Sequence, residues 1–181
     1  MRLEIMFAGF GGQGIMRSGI MLAMAACIYG GKHAVQTQSY GPESRGGACR
    51  SEVVISDGEI DFPNVMEPDI LVLMSQHAYN EYAGNVKENG IIILDPDMIP
   101  NEKKLGNVKI FRVPATRIAE EFGNKIVANT VMLGALTAIT GIVDKEAIKK
   151  SIAANVPKET EELNLKAFEK GYEYGENLVK G

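Results

Sequence analysis

The sequence has 181 residues, 45% of them hydrophobic and 23% charged, the balance of a globular chain with enough length to bury a core. A formal net charge of −4 argues against nucleic acid as the main partner. Two cysteines and two histidines exclude a zinc site or an iron–sulfur cluster built without outside ligands.

The charge is unevenly placed. Residues 1–50 hold Arg2, Arg17, Lys32, Arg45 and Arg50 against Glu4 and Glu43, a balance of +3 that leaves −7 for the remainder. A mildly basic face near the N-terminus suits an anionic small molecule or an acidic partner surface, although scattered solvated charge would give the same totals. The chain opens directly as a strand, so no secretory leader is expected. The apolar run after Gly14 is interrupted by Arg17 and is too short to span a bilayer. Cys27 and Cys49, without C-x-x-C spacing, read as reduced core or near-core residues of a cytoplasmic protein.

In chain order, Arg2 to Ala8 reads as a strand, Gly9 to Gly14 (GFGGQG) as a tight loop, and Ile15 to Tyr29 as a helix. Gly9, Gly11 and Gly14 satisfy G-x-G-x-x-G between a strand and a helix, the placement that lets backbone approach a ligand and aims free N–H groups at an anion. The helix is apolar nearly all round, with only Arg17 and Ser18 polar before Tyr29. Such a helix is either sandwiched within the domain or covered by another chain. Gly30-Gly31 ends it. His33 to Gln38 is the second strand. A dinucleotide site needs an acid near its end, about 20 residues past the glycines. Gln36, Gln38 and Ser39 stand there instead, which counts against NAD.

Ser39 to Gly47 (SYGPESRGG) is loop by composition, either punctuation or a binding loop that holds Glu43, Ser44 and Arg45 between glycine hinges. Ala48 to Ser56 is a strand, and Asp57-Gly58 reads as a two-residue hairpin turn into Glu59 to Phe62. Asp69 to Ser75 and Gly90 to Leu94 are continuous apolar runs, expected as strands covered on both faces. Gln76 to Lys87 between them reads as a helix with Ala78, Tyr82 and Val86 inward. Asn107 to Val113 makes a further strand, and Pro114-Ala115 open a short helix through Phe122. Ile126 to Ile142, rich in Ala and Gly and uncharged, is a helix for close backbone packing, against the sheet or against another subunit. Asp144 caps the next helix with Val143 and Ile148 as its staple, and Pro157 ends it. Glu159 to Val179 places Leu165, Phe168 and Tyr172 inward and pairs Glu162 with Lys166 outside.

Catalytic sets are missing. Neither His33 nor His77 has a sequence neighbour that forms a nucleophile–base pair, Ser44 lacks G-x-S-x-G context, and there is no phosphate-loop G-x-x-x-x-G-K-[ST]. Asp95 and Asp97 follow a strand end, where solvent is their expected address. A ligand-cradling loop, two over-apolar helices and no catalytic set suggest one part of a larger enzyme.

The pair GFGGQG and, about 25 residues on, SYGPESRGG, with Asn129-Thr130-Val131-Met132-Leu133-Gly134-Ala135 in the second apolar helix, resembles the gamma subunit of 2-oxoacid:ferredoxin (acceptor) oxidoreductases, the pyruvate/ketoisovalerate oxidoreductase gamma family. The loop around Arg45 looks more like the 2-oxoglutarate branch. The resemblance covers nearly the whole chain. It implies a multi-subunit enzyme that converts a 2-oxoacid and coenzyme A to acyl-CoA and CO2, with electrons passed to ferredoxin. It further implies alpha, beta (thiamine-binding) and ferredoxin-like delta partners. Those other subunits would hold thiamine diphosphate, magnesium and the iron–sulfur clusters, and this chain alone would hold no cofactor or metal. Its contribution to a shared coenzyme A site would be Gly9, Phe10, Gly11, Gly12, Gln13 and Gly14, with Tyr40, Gly41, Pro42, Glu43, Ser44, Arg45, Gly46 and Gly47.

The expected fold is a three-layer, Rossmann-like α/β domain over residues 1–181, its sheet mostly parallel with an antiparallel hairpin at one edge. Both loops should meet at the C-terminal edge of the parallel strands, and the isolated chain should self-associate through its apolar helices. Two other readings stay open: a stand-alone nucleotide-binding dehydrogenase or sensor module, and a structural subunit without ligand contact.

Overall fold

The structure is a computed structural model that describes residues 1–40 and 48–181. Six strands form one sheet: β1 (Arg2–Phe10), β2 (His33–Tyr40), β3 (Ala48–Ser56), β4 (Ile70–Leu73), β5 (Ile91–Leu94) and β6 (Lys109–Arg112), in the order β2-β3-β1-β4-β5-β6. Every strand runs parallel to β1 except β3, which is antiparallel to both its neighbours. The sheet is thus mostly parallel, and the hairpin at its edge is β2–β3. The hairpin expected from Asp57-Gly58 into Glu59–Phe62 does not form. β1 and β2 occupy both edges of β3 along its length, with Ser56 opposite Arg2 and His33, so no ladder remains for residues 59–62. Asp57 instead binds Lys32 and the N-terminal ammonium.

Alternation along the strands builds two cores. Ile5, Phe7, Val53, Ile55, Val72 and Ile93 point to one face, and Met6, Ala8, Val54, Leu71, Leu73, Ile92 and Leu94 to the other. The first face carries α1 (Ile15–Met24), α3 (Ala115–Glu121), α4 (Ala128–Thr140), α5 (Lys145–Asn155) and α6 (Glu161–Lys180). The second is covered by α2 (Gln76–Tyr82) together with Val65 and Ile99 from the connecting segments. α2 is shorter than expected, and Val86 lies beyond a 3-10 turn over Ala83–Asn85.

The helix expected over 15–29 changes type at Ala25, where it widens into a π-helical turn (Ala25–Tyr29). Ser151 of α5 donates to the Met21 carbonyl at 2.6 Å. The Ala25 N–H is shared between the Met21 and Leu22 carbonyls. α4 is buried from Ala128 to Thr137. It lies so close to α6 that a Cβ on Gly171 would stand 2.7 Å from the Val131 carbonyl carbon, and one on Gly175 would stand 2.9 Å from the Ala135 oxygen. The small residues of α4 therefore serve an internal helix pair. Asp144 caps α5 through the Glu146 N–H at 3.1 Å, and Glu162 pairs with Lys166 at 3.1 Å, both as expected.

Candidate functional site

The glycine loop leaves the C-terminal end of β1 and enters α1 through Gly12 at φ 89° and Gly14 at φ 76°, angles a side chain strains to adopt. Its residues divide into holders and exposed backbone. Gln13 is a strut: its carboxamide accepts from the Phe10 N–H at 2.7 Å and donates to the Met74 carbonyl at 2.9 Å, tying the loop to the end of β4. Gly9 makes room for that strut, since a Cβ there would lie 2.9 Å from Ile15 Cδ1 and 3.0 Å from Met74 Cβ. Gly11 and Gly12 are exposed, and a Cβ on either would meet nothing within 4 Å. Their backbone is the surface the loop presents.

Beside this surface lies a pocket of about 550 Å³, lined by the apolar Ile15, Met16, Ile20, Ile126 and Val156 and the polar Asn129, Thr160 and Asn164. Three helices begin there. α1 starts at Gly14 without a side-chain cap, while α4 and α6 are entered through the 3-10 turns Lys125–Val127 and Lys158–Thr160. Among the described residues no acceptor meets the N–H groups of Ile15, Met16 and Arg17. Each helix start carries partial positive charge equivalent to roughly half an elementary charge. The exposed Arg17 guanidinium adds a full one and makes no ion pair among the described residues. The pocket therefore favours a ligand with an anionic end and an apolar stem.

Tyr40 ends β2 opposite Cys49, and Cys49 stands opposite Gly9. The two loops thus start from the same edge of the sheet, two strand spacings or about 10 Å apart. Of the second loop, Gly41, Pro42, Glu43, Ser44, Arg45, Gly46 and Gly47 lie outside the described residues. This register also weakens the dinucleotide reading, because β3 stands between β1 and β2 and moves the end of β2 one strand farther from the glycines than a βαβ unit would place it.

Several expectations need correction. Asp95 is fully buried rather than solvated: it accepts from the Thr116 N–H at 2.9 Å and hydroxyl at 2.7 Å, fixing the start of α3 to the end of β5. Asp97 is exposed, as expected, and pairs there with Arg117 at 2.5 Å. Cys27 is exposed on the π turn, whereas Cys49 is buried and desolvation raises its thiol pKa. The two lie at opposite ends of the first helix, and among the described residues no three His, Cys, Asp or Glu side chains converge. These donors do not fit an iron–sulfur cluster or the magnesium of thiamine diphosphate. The open glycine backbone and apolar walls do fit a coenzyme A arm. Two other hollows, of about 610 and 660 Å³, each include a paired charge in their lining, Lys145 with Glu169 in the first and Arg50, bridged to Glu52, in the second.

Asn129, Thr160 and Asn164 were not expected in the site. The one available signal was Asn129-Thr130, a polar pair at the start of an uncharged helix.

Residues 4–174 match the family model of the pyruvate ferredoxin/flavodoxin oxidoreductases. The 2-oxoglutarate synthase subunit KorC of Methanocaldococcus jannaschii is 56% identical over 98% of this chain and 96% of its own length. The keto/oxoacid ferredoxin oxidoreductase gamma subunit of Geobacter sulfurreducens superposes with a TM-score of 0.86 at 44% identity, covering 96% of this chain and 98% of that one. A longer chain, 2-oxoglutarate:ferredoxin oxidoreductase from Magnetococcus marinus with 2-oxoglutarate, coenzyme A and succinyl-CoA bound, superposes with a TM-score of 0.89 at 25% identity, over 99% of this chain and 32% of that one. The chain belongs to the pyruvate ferredoxin/flavodoxin oxidoreductase family.

Proposed function

We propose that this chain is the gamma subunit of a multi-subunit 2-oxoglutarate:ferredoxin oxidoreductase, which converts 2-oxoglutarate and coenzyme A to succinyl-CoA and CO2. The observation that carries the reading is the full-length similarity to a 2-oxoglutarate synthase subunit, in a chain whose described residues converge on a ligand pocket. Residues 1–181 act as one gamma-type domain, a reading supported by the match of nearly the whole chain within a longer one. The partners are alpha, beta and ferredoxin-like delta subunits, in the cytoplasm. Among the described residues no helix is long and apolar enough to cross a membrane.

Thiamine diphosphate with magnesium, and the iron–sulfur clusters, belong to those partners and supply carbon–carbon cleavage and electron transfer. This chain's part is to hold coenzyme A at a shared site. The N–H groups at the start of α1 and the Arg17 guanidinium meet its anionic end. Gly11 and Gly12 let backbone lie against it without a Cβ between. Ile20 and Ile126 exclude water from the arm. Phe10 and Gly14 border the same pocket, and the rest of the chain's share in coenzyme A binding is assigned to Tyr40 and to Gly41–Gly47, which lie outside the described residues, with Arg45 as the second cation.

Purifying the tagged chain together with its partners tests this. The complex should reduce ferredoxin with 2-oxoglutarate and coenzyme A, and the chain alone should not. Turnover by the isolated chain, or a complex that prefers pyruvate, would overturn the assignment. Saturable NAD(H) binding to the isolated chain would favour the stand-alone module instead.

A further inference from the structure

Asn129 is buried, with 6% of its surface exposed, lines the pocket, and holds its carboxamide against Gly14 at the pocket's edge. Both of its ends are short of partners. Its Nδ2 lies 3.4 Å from the Gly14 carbonyl. That oxygen already receives the Ser18 N–H and the Ser18 hydroxyl at 2.9 Å each, which uses both its lone pairs. At the other end, Oδ1 lies 3.3 Å from the Thr130 hydroxyl. That hydroxyl has one proton to give, and Asn164 Oδ1 stands nearer, at 2.7 Å. Asn164 is held in turn by donating to the Thr160 carbonyl at 3.0 Å. A nearly buried carboxamide thus shares each of its two partners with a nearer group, and its hydrogen-bonding capacity is incompletely used.

We propose that Asn129 recognises a secondary amide of the ligand, its Oδ1 accepting the ligand's amide N–H and its Nδ2 donating to the ligand's amide carbonyl. A primary carboxamide matches an amide in both directions, whereas it offers a phosphate or a hydrocarbon only one useful group or none. The apolar lining agrees: Ile15, Ile20 and Ile126 suit methylene groups flanking an amide, while the charged end is met by Arg17 and the start of α1. The assignment rests on the coenzyme A reading, because the pantetheine arm carries two such amides between short aliphatic links. Asn129 is then a specificity residue for the arm rather than part of the helix packing alone.

The test is equilibrium binding to the assembled complex, using coenzyme A, two analogues in which one or the other pantetheine amide is replaced by an ester, and adenosine 3',5'-bisphosphate, which has no amide. The unaltered complex should bind one ester analogue roughly 3- to 10-fold more weakly than coenzyme A, the range one hydrogen bond supplies. With Asn129→Leu that preference should vanish while the bisphosphate binds as before. Thr130→Val leaves the carboxamide in place and should retain the preference. If the unaltered complex binds both esters as tightly as coenzyme A, the proposal fails, whatever the folding of the variants. A preference that survives Asn129→Leu also overturns it. If coenzyme A and the bisphosphate both fail to bind, the coenzyme A reading itself falls.

Discussion

Gly14 carries two constraints at once. Its φ of 76° lies in the left-handed region, and the space a side chain would fill is taken by the Asn129 carboxamide, whose Cγ would lie 2.6 Å from a Cβ. Gly11 carries neither constraint, and a Cβ on it would meet nothing within 4 Å. Two glycines of one motif therefore predict opposite behaviour. Gly14→Ala should lower the unfolding free energy of the isolated chain by roughly 2–4 kcal/mol, combining left-handed strain with displacement of a buried side chain. Gly11→Ala should change it by about 0.5 kcal/mol or less. Urea unfolding followed by circular dichroism reads both. In the assembled complex the order should reverse in kind, because Gly11→Val fills the approach face and should raise the Michaelis constant for coenzyme A. Unchanged kinetics would mean that this backbone contacts nothing. The motif was legible because its spacing between a strand and a helix has a geometric reason. Asn129 was not, because its meaning comes from Gly14, and nothing local marks two residues 115 positions apart as neighbours.

At the scale of elements, the sequence pattern located the buried strands and several helix ends, where apolar runs and caps have local causes. It gave β3 the wrong antiparallel partner, residues 59–62 in place of β1 and β2, since alternation along a strand does not say which neighbours occupy its edges. The close approach of α4 and α6 was half visible: the small residues of α4 were noticed, but Gly171 and Gly175, their complements on α6, were not. α5 is strapped to α6 by Lys145 and Lys149, each 3.0 Å from a Glu169 oxygen, with Lys145 also 4.2 Å above the Tyr172 ring. Burial pushes the Glu169 carboxyl up, but the two lysine hydrogen bonds outweigh it and hold its pKa below the usual glutamate range. The lowered folded-state pKa means that this strap contributes fully above the unfolded value near 4.3. The contribution is lost as pH falls through the folded value. Stability measured from pH 6 down to 3 should therefore fall less steeply in Glu169→Gln than in the parent. Added salt should shrink the difference, because the group is 42% exposed. Identical pH profiles would remove the strap from the account of how α5 is held.

The whole molecule leaves apolar surface exposed along α1 and its π turn and in the turn before α4. Ile20 is 37% exposed, Ile28 and Ile126 each 61%, and Tyr29 39%. The sequence suggested that the first apolar helix was either sandwiched or covered by another chain, and its two sides answer differently. Ile15, Met21 and Leu22 are buried within this chain, while Ile20, Ile28 and Tyr29 are not. The second apolar helix is used internally along α4, and only Ile126, in the turn before it, stays exposed. A subunit separated from its partners should cover such surface with another copy of itself. Sedimentation equilibrium should then show concentration-dependent association of the isolated chain, weakened by Ile28→Lys or Ile126→Lys. A single monomeric species at every concentration would count against this. Cys27 provides an independent reporter, because it is exposed between Ala26 and Ile28 while Cys49 is buried with its thiol pKa raised by desolvation. In the isolated chain Cys27 should alkylate readily and Cys49 only after unfolding. Assembly with the partner subunits should slow Cys27 alkylation by an order of magnitude or more if the π turn lies in the interface, since a covered thiol reacts only when the surface opens. Equal Cys27 rates in the free chain and the complex would place the partner elsewhere, and would leave Ile20 and Ile126, at the pocket, as the part of the apolar surface that assembly has to explain.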